Sequence, residues 1–227
     1  MSQYSGLTIR FAESCDAAKV VDLRMRAYTA TDKFAITDPA AVTWRATDEH
    51  GCVLVAETAT GDFAATITGF CATDAAEFKR LTNVYPPPGT VFPVYYFTHG
   101  CTDFAFRKRG LNTLLKVLQV QALAGTRIQT VGHNINVGSR RVDEMAAMGF
   151  QYHAAVRVNA QGRGYEHRTP LLAGIIGQAH FAEITDHLET RLKKALTELH
   201  IHPGLRPHLL QFLDRVLPPH FSQSAQN

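Results

Sequence analysis

Three consecutive cations, Arg107, Lys108 and Arg109, stand directly before Gly110, where the residue pattern changes from strand to helix. Upstream, residues 91–98 read as a strong β-strand. Downstream, Leu111, Leu114, Leu115, Leu118 and Ala122 recur at helical spacing, with Gly125 as the stop. A strand that feeds a basic turn and then a helix N-terminus binds anions. The first-turn N–H groups point at one spot, the macrodipole adds partial positive charge there, and glycine lets the backbone approach a phosphate closely. Three cationic side chains strengthen the attraction. The alternative for the triplet is a solvated charged surface.

His99, three residues before Thr102 on the same strand, is a candidate general base because an ordinary imidazole titrates near neutrality. The alternative is a hydrogen-bonded structural histidine. Asp103 and Glu57 are further acid–base candidates. Cys101 lies close by, but no activating partner is evident, so an inert buried thiol is expected. Cys15, Cys52, Cys71 and Cys101 form no C-x-x-C pair, which signals neither a disulfide framework nor a zinc site. No metal is expected.

These groups need elements to position them. Residues 8–11 read as an opening strand, and Ser14 caps a helix running to about residue 30. Val20, Leu23 and Ala27 give that helix its apolar side. Arg24, Arg26 and Tyr28 supply polar groups, of which Arg24 and Tyr28 are candidates for an acceptor pocket. Residues 31–50 read as a long connection with at most a helical turn. Residues 52–57 and 63–70 form a hairpin about a turn at 59–62. After the helix that follows Gly110 come a strand at 127–131, a helix from about Ser139 to Gly149, and a strand at 150–158. The mixed order argues an α/β or α+β sheet flanked by helices.

The run Arg107-Lys108-Arg109-Gly110-Leu111-Asn112 resembles the R/Q-x-x-G-x-G/A diphosphate motif of the GNAT superfamily of N-acetyltransferases. Asn136-Val137-Gly138-Ser139, followed by a helix that ends in Gly149-Phe150, is similar to that family's second signature. The resemblance covers the element order from about residue 7 to 158. It implies a mixed, mostly antiparallel central sheet and an acyl-CoA cosubstrate, acetyl-CoA or another. Backbone groups of Thr102, Asp103 and Phe104 would hold the pantetheine arm. The diphosphate would lie at Arg107, Lys108, Arg109, Gly110, Leu111, Asn112 and Thr113, with Asn136 and Ser139 near the thioester. Direct transfer of the acyl group to a primary amine of a small molecule or peptide would follow.

Two positions depart from the pattern. Asn112 replaces a small Gly or Ala. Met145 stands where many members carry a tyrosine that protonates the leaving thiolate, and a thioether cannot donate a proton. Tyr152 is the candidate replacement, with a core tyrosine as its alternative. Residues 23–28 and the Asp38-Pro39 loop are similar to the opening of the N-acyl amino acid synthase and acyl-homoserine-lactone synthase branch, whose donor can ride on acyl carrier protein. A catalytically idle acyl-CoA-binding module is the other rival.

At 227 residues, 45% hydrophobic and 19% charged, the chain has the composition of a globular protein rather than a disordered one. A net charge of +3 is too small to imply a nucleic-acid partner. No segment reaches the length of a membrane span and the first residues lack a signal-peptide pattern, so a cytoplasmic protein is expected. One domain with an appendage is expected: residues 1–176 as the acyltransferase domain and 177–227 as a C-terminal helical extension packed on it. In that extension Phe181, Ile184, Leu188, Leu192, Leu196 and Leu199 form one helical stripe. Leu205, Leu209, Leu213 and Val216 form a second after the turn His202-Pro203-Gly204, giving a helical hairpin. A homodimer interface, or a lid, is the sharper use of that tail.

Overall fold

On β3 (Cys52–Thr58) successive side chains point to opposite faces, and both faces are covered. Cys52, Leu54 and Ala56 join a large cluster with Leu111, Leu114, Leu115 and Leu118 of α4 (Leu111–Leu123). Val53 and Val55 join a smaller one with Val20, Leu23 and Ala27 of α1 (Ala17–Thr29). Helices therefore cover the sheet on both sides, and β4 (Phe63–Ala72) is buried along its whole length. The computed structural model describes residues 6–29, 34–36, 39–44, 46–49, 51–158, 165–167, 170–184, 186 and 199–217.

The remaining strands of the main sheet are β1 (Leu7–Phe11), β5 (Val94–Thr102), β6 (Thr130–Asn136), β7 (Gln151–Ala154), β9 (Leu171–Gly177) and β10 (His200–Ile201). They form an eight-stranded sheet in the order β10-β1-β3-β4-β5-β6-β9-β7. Neighbours are antiparallel except β1 with β10 and β5 with β6. This is the mixed, mostly antiparallel α/β sheet expected from the sequence. A separate two-stranded ribbon pairs β2 (Phe34–Ile36) with β8 (Tyr165–His167).

Several elements were not anticipated, among them both strands of that ribbon. β9, of sequence LLAGIIG, inserts between β6 and β7 and is buried through Ala173 to Ile176. A short apolar run without alternation is ambiguous by period, and only its two partners decide its state. α3 (Ala75–Thr82) starts at Asp74, whose carboxylate accepts from the N–H groups of Ala76 and Glu77, both at 2.8 Å. β10 is a two-residue edge strand on β1, where a helix end was expected. The 31–50 connection holds a 3-10 turn, Pro39–Val42, and the short α2 (Ala46–Glu49). α5 (Arg141–Ala146) starts two residues later than the sequence suggests.

β9 ends at Gly177, and the described tail packs on the sheet's own core. Phe181, Ile184, Leu199 and four residues of α6 (Leu205–Val216), namely Leu205, Leu209, Phe212 and Leu213, belong to the α4 cluster. Leu188, Leu192 and Leu196 of the first stripe lie outside the described residues. No helix among the described residues is long and apolar enough to cross a membrane.

Candidate active site

Hydrogen-bonded pairing of β5 with β6 runs from Val94↔Thr130 to Phe97↔His133 and then stops, although β5 continues to Thr102 and β6 to Asn136. The two parallel strands thus splay apart. A bulge drives the separation: on the other side of β5, Thr98 pairs with Thr68 and Cys101 with Thr66, so β5 spends one extra residue at His99 and Gly100. His99 adopts φ 49°, in the left-handed region. An inner cavity of about 180 Å³ occupies the splay, walled by Phe97 to Gly100, Asn134 to Asn136, Asn112, Lys116, Arg141, Tyr28, Ile67 and Leu171.

The basic turn opens the outer end of this cleft. Asp103 caps a 3-10 turn, Phe104–Phe106, by accepting from the Ala105 N–H at 3.0 Å. Lys108 (φ 65°) and Gly110 (φ 74°) then reverse the chain into α4. The Leu114 N–H donates to the Gly110 carbonyl at 2.9 Å, so the N–H groups of Leu111, Asn112 and Thr113 precede the first intrahelical bond. A cavity of about 600 Å³ lies over them, lined by Thr102, Arg107, Lys108, Gly110 to Thr113, Asn136, Arg140, Arg141 and Glu144, among others.

No protein-family model and no curated relative matches the sequence, so likeness is carried by structure. The ribosomal-protein-S5-alanine acetyltransferase of Vibrio fischeri is similar with TM-score 0.53 at 11% identity, over 77% of this chain and 94% of that one. FeeM, an N-acyl amino acid synthase from uncultured soil microbes, gives 0.52 at 12% identity, over 77% and 92%. The yncA protein of Salmonella typhimurium, solved with its cofactor acetyl-CoA, gives 0.50 at 16% identity, over 77% and 95%. The chain has the GNAT acetyltransferase fold.

Within this GNAT fold the sequence candidates separate into two groups. Thr102, Arg107, Lys108, Gly110, Leu111, Asn112, Thr113, Asn136 and Tyr28 line the outer cavity, and His99 lines the inner one. Arg107 also donates to the Ala27 carbonyl at the end of α1, at 2.9 Å. Asp103, Phe104, Arg109 and Ser139 line neither cavity. Asp103 pairs with Arg26, Phe104 is 75% exposed, and Arg109 turns back to the Ala105 carbonyl at 3.2 Å beside the Phe106 ring.

Arg24 is not at the cavity wall either. It is completely buried and donates to both Asp48 oxygens, at 2.9 and 2.6 Å, and to Thr68 Oγ1 at 2.9 Å. Burial disfavours the Asp48 charge, but the hydrogen bonds and field of Arg24 outweigh it and hold the carboxyl below its usual range. Cys101 lines the outer cavity, and burial pushes its thiol up to about 12, which keeps it a thiol rather than a nucleophilic thiolate. Met145 is 1% exposed and packs in the main core.

Asn112 closes the floor between helix mouth and bulge. Its Oδ1 accepts from the Arg141 guanidinium, and its buried Nδ2 has no hydrogen-bond partner among the described residues. A Cβ on Gly100 would lie 2.6 Å from that Nδ2, so glycine is required for the asparagine to sit there undisturbed. An orphaned buried donor beside open first-turn N–H groups fits an acceptor oxygen, as the diphosphate or thioester arm of an acyl-CoA would supply. Among the described residues no cluster of His, Cys, Asp or Glu could hold a metal.

Sequence reasoning gave no role to three polar groups here, of which Lys116 and His133 are buried. Lys116 and His133 are in hydrogen-bond contact, His133 Nε2 lies 2.9 Å from Tyr152 Oη, and Arg141 borders both cavities. Tyr152 itself lines neither. The available signal was the polar row Asn112, Lys116 and Gln119 at helical spacing on a largely apolar α4.

Proposed function

We propose that the chain is an N-acyltransferase that moves an acyl group, acetyl in the first instance, from acyl-CoA to a primary amine by direct transfer. The observation that supports it best is a pair of cavities, one over an open, basic helix mouth and one in the gap between diverging strands, that share Tyr28, Gly100, Asn112, Asn136 and Arg141 as walls. Leu111, Asn112 and Thr113 N–H groups, with Lys108 and Arg107 beside them, would hold the diphosphate. Bound there, acyl-CoA supplies the activated thioester, and the bulge residues His99 and Gly100 line the cavity that its carbonyl would enter. Holding donor and acceptor together removes several kcal/mol from the barrier, on the order of 7 or more at best.

A small inner cavity, about 180 Å³, favours a short acyl group over the long chains of the synthase branch. The FeeM likeness, at 12% identity, extends to the fold. Acyl carrier protein is therefore the secondary donor reading, and a small-molecule or peptide amine the acceptor.

Lys108 faces the outer cavity and Arg109 does not, so their charge reversals should differ. Lys108→Glu is expected to weaken acetyl-CoA binding about 10-fold, more at low salt, while Arg109→Glu has a smaller effect. Isothermal titration at two ionic strengths checks this. Wild-type chain without measurable affinity for acetyl-CoA would reject the proposal, and affinity without thiol release across a broad amine panel would favour an idle binding module.

A further inference from the structure

Resting on the acyltransferase reading, we infer that Lys116 is the proton carrier of the cleft, serving the acceptor nitrogen first and the departing sulfur second. Lys116 extends from α4 into the splay and borders the inner cavity between Phe97–Gly100 and Asn134–Asn136. It is buried, and no carboxylate lines that cavity among the described residues. Among the described residues its amine nitrogen contacts His133 Nδ1.

The arrangement behind Lys116 is built by the strand order. His133 on β6 and Tyr152 on β7 both stand opposite Gly174 of the intervening β9, and they meet over it at 2.9 Å. A Cβ on Gly174 would lie 2.5 Å from the Tyr152 ring and 2.9 Å from His133 Nε2, so only glycine leaves room for this bond. A neutral Lys116 amine donates to His133 Nδ1, which fixes the imidazole tautomer with Nε2–H donating to Tyr152 Oη. The lone pair of Lys116 is then left for a ligand in the cavity.

Burial first, and the field of Arg141 second, hold Lys116 well below the lysine range, which favours the neutral amine. Burial, then Lys116 and Arg141, hold His133 down as well. Other groups facing the cavity are His99 and Tyr28, with Glu144 at the outer cavity beyond Arg141. The step balances. As the C–N bond forms, the acceptor amine loses one N–H proton to Lys116. As the C–S bond breaks, its electron pair leaves with sulfur, which takes that proton from the Lys116 ammonium to give the thiol. His133 and Tyr152 act as positioning residues.

Two measurements on the full chain test this. In ¹⁵N-lysine NMR, the Lys116 resonance, assigned by its loss in Lys116→Met, is expected to titrate at lower pH than every other lysine, with and without acetyl-CoA; titration together with exposed lysines overturns the inference. In thiol release from acetyl-CoA with primary amines, Lys116→Met is expected to fall about 100-fold or more at unchanged acetyl-CoA affinity, while Lys19→Met, at an exposed lysine that lines neither cavity, keeps its rate. Wild-type release in Lys116→Met, or an equal loss in Lys19→Met, overturns it. Absence of acetyl-CoA binding in the wild type instead overturns the acyltransferase reading on which it rests.

Discussion

Gly110→Asp is expected to weaken acetyl-CoA binding about 100-fold or more while leaving the fold intact. Gly110 sits at φ 74° before the first residue of α4, and nothing lies within 4 Å of where a Cβ would be. Asp tolerates the left-handed region better than most residues, so the backbone cost is on the order of 1 kcal/mol. The new carboxylate enters the mouth, where it repels a diphosphate and competes for the N–H groups of Leu111, Asn112 and Thr113. At a separation of about 5 Å, a charge pair at a protein surface is worth roughly 1–3 kcal/mol, and about 3 kcal/mol is 100-fold in affinity. Gly110→Ala carries the strain without the charge and should lose less than about tenfold. Isothermal titration on both variants, with circular dichroism to confirm folding, separates the effects. Unchanged affinity in folded Gly110→Asp would remove the helix mouth from the site.

Asp48→Ala is expected to destabilise the protein by about 3–5 kcal/mol, because it leaves the Arg24 guanidinium charged, buried and unpaired by its carboxylate. Thr68 links the two: it accepts from Arg24 at 2.9 Å and donates to Asp48 at 2.5 Å. For a chain of this length each kcal/mol lowers Tm by about 2–4 °C, so a drop of roughly 10 °C is anticipated in thermal unfolding. The pH dependence has a definite sign. Asp48 is held below its unfolded value, so its contribution is fully present above the ordinary aspartate range and is lost as pH falls through the lower, folded value. Wild type should therefore lose stability in acid that Asp48→Ala has already lost. A variant with an unchanged Tm and an unchanged acid limb would show that the pair contributes nothing. Arg24→Met with Asp48→Leu should recover part of the loss, since replacing both partners by apolar groups leaves no orphaned charge.

The helix mouth was legible in the sequence because everything that makes it is local: three cations, a glycine and the apolar period of α4 lie within 20 residues. The cleft behind it was less so. That β5 and β6 separate after Phe97↔His133 follows from a bulge at His99 and Gly100, and bulges depend on which partner strand supplies the shorter count. β9 illustrates the same limit, since its place between β6 and β7 reverses the chain order and brings His133 to Tyr152 across Gly174. Neither contact has a sequence signature. Arg24 shows how periodicity misleads: its position beside the apolar side of α1 suggested a cleft, but the residue that captures it, Asp48, lies 24 positions away in a stretch read as loop. Lys116 went unremarked because a lysine on a helix is ordinarily a surface residue, and only the splay of the strands gives it a cavity.

A crystal structure of the chain with CoA addresses the helix mouth most directly. The expected result has diphosphate oxygens within hydrogen-bonding distance of the Leu111, Asn112 and Thr113 N–H groups, and the pantetheine arm passing inward between β5 and β6. A nucleotide bound away from α4, with the gap between those strands left empty at saturating CoA, is the result that would contradict it.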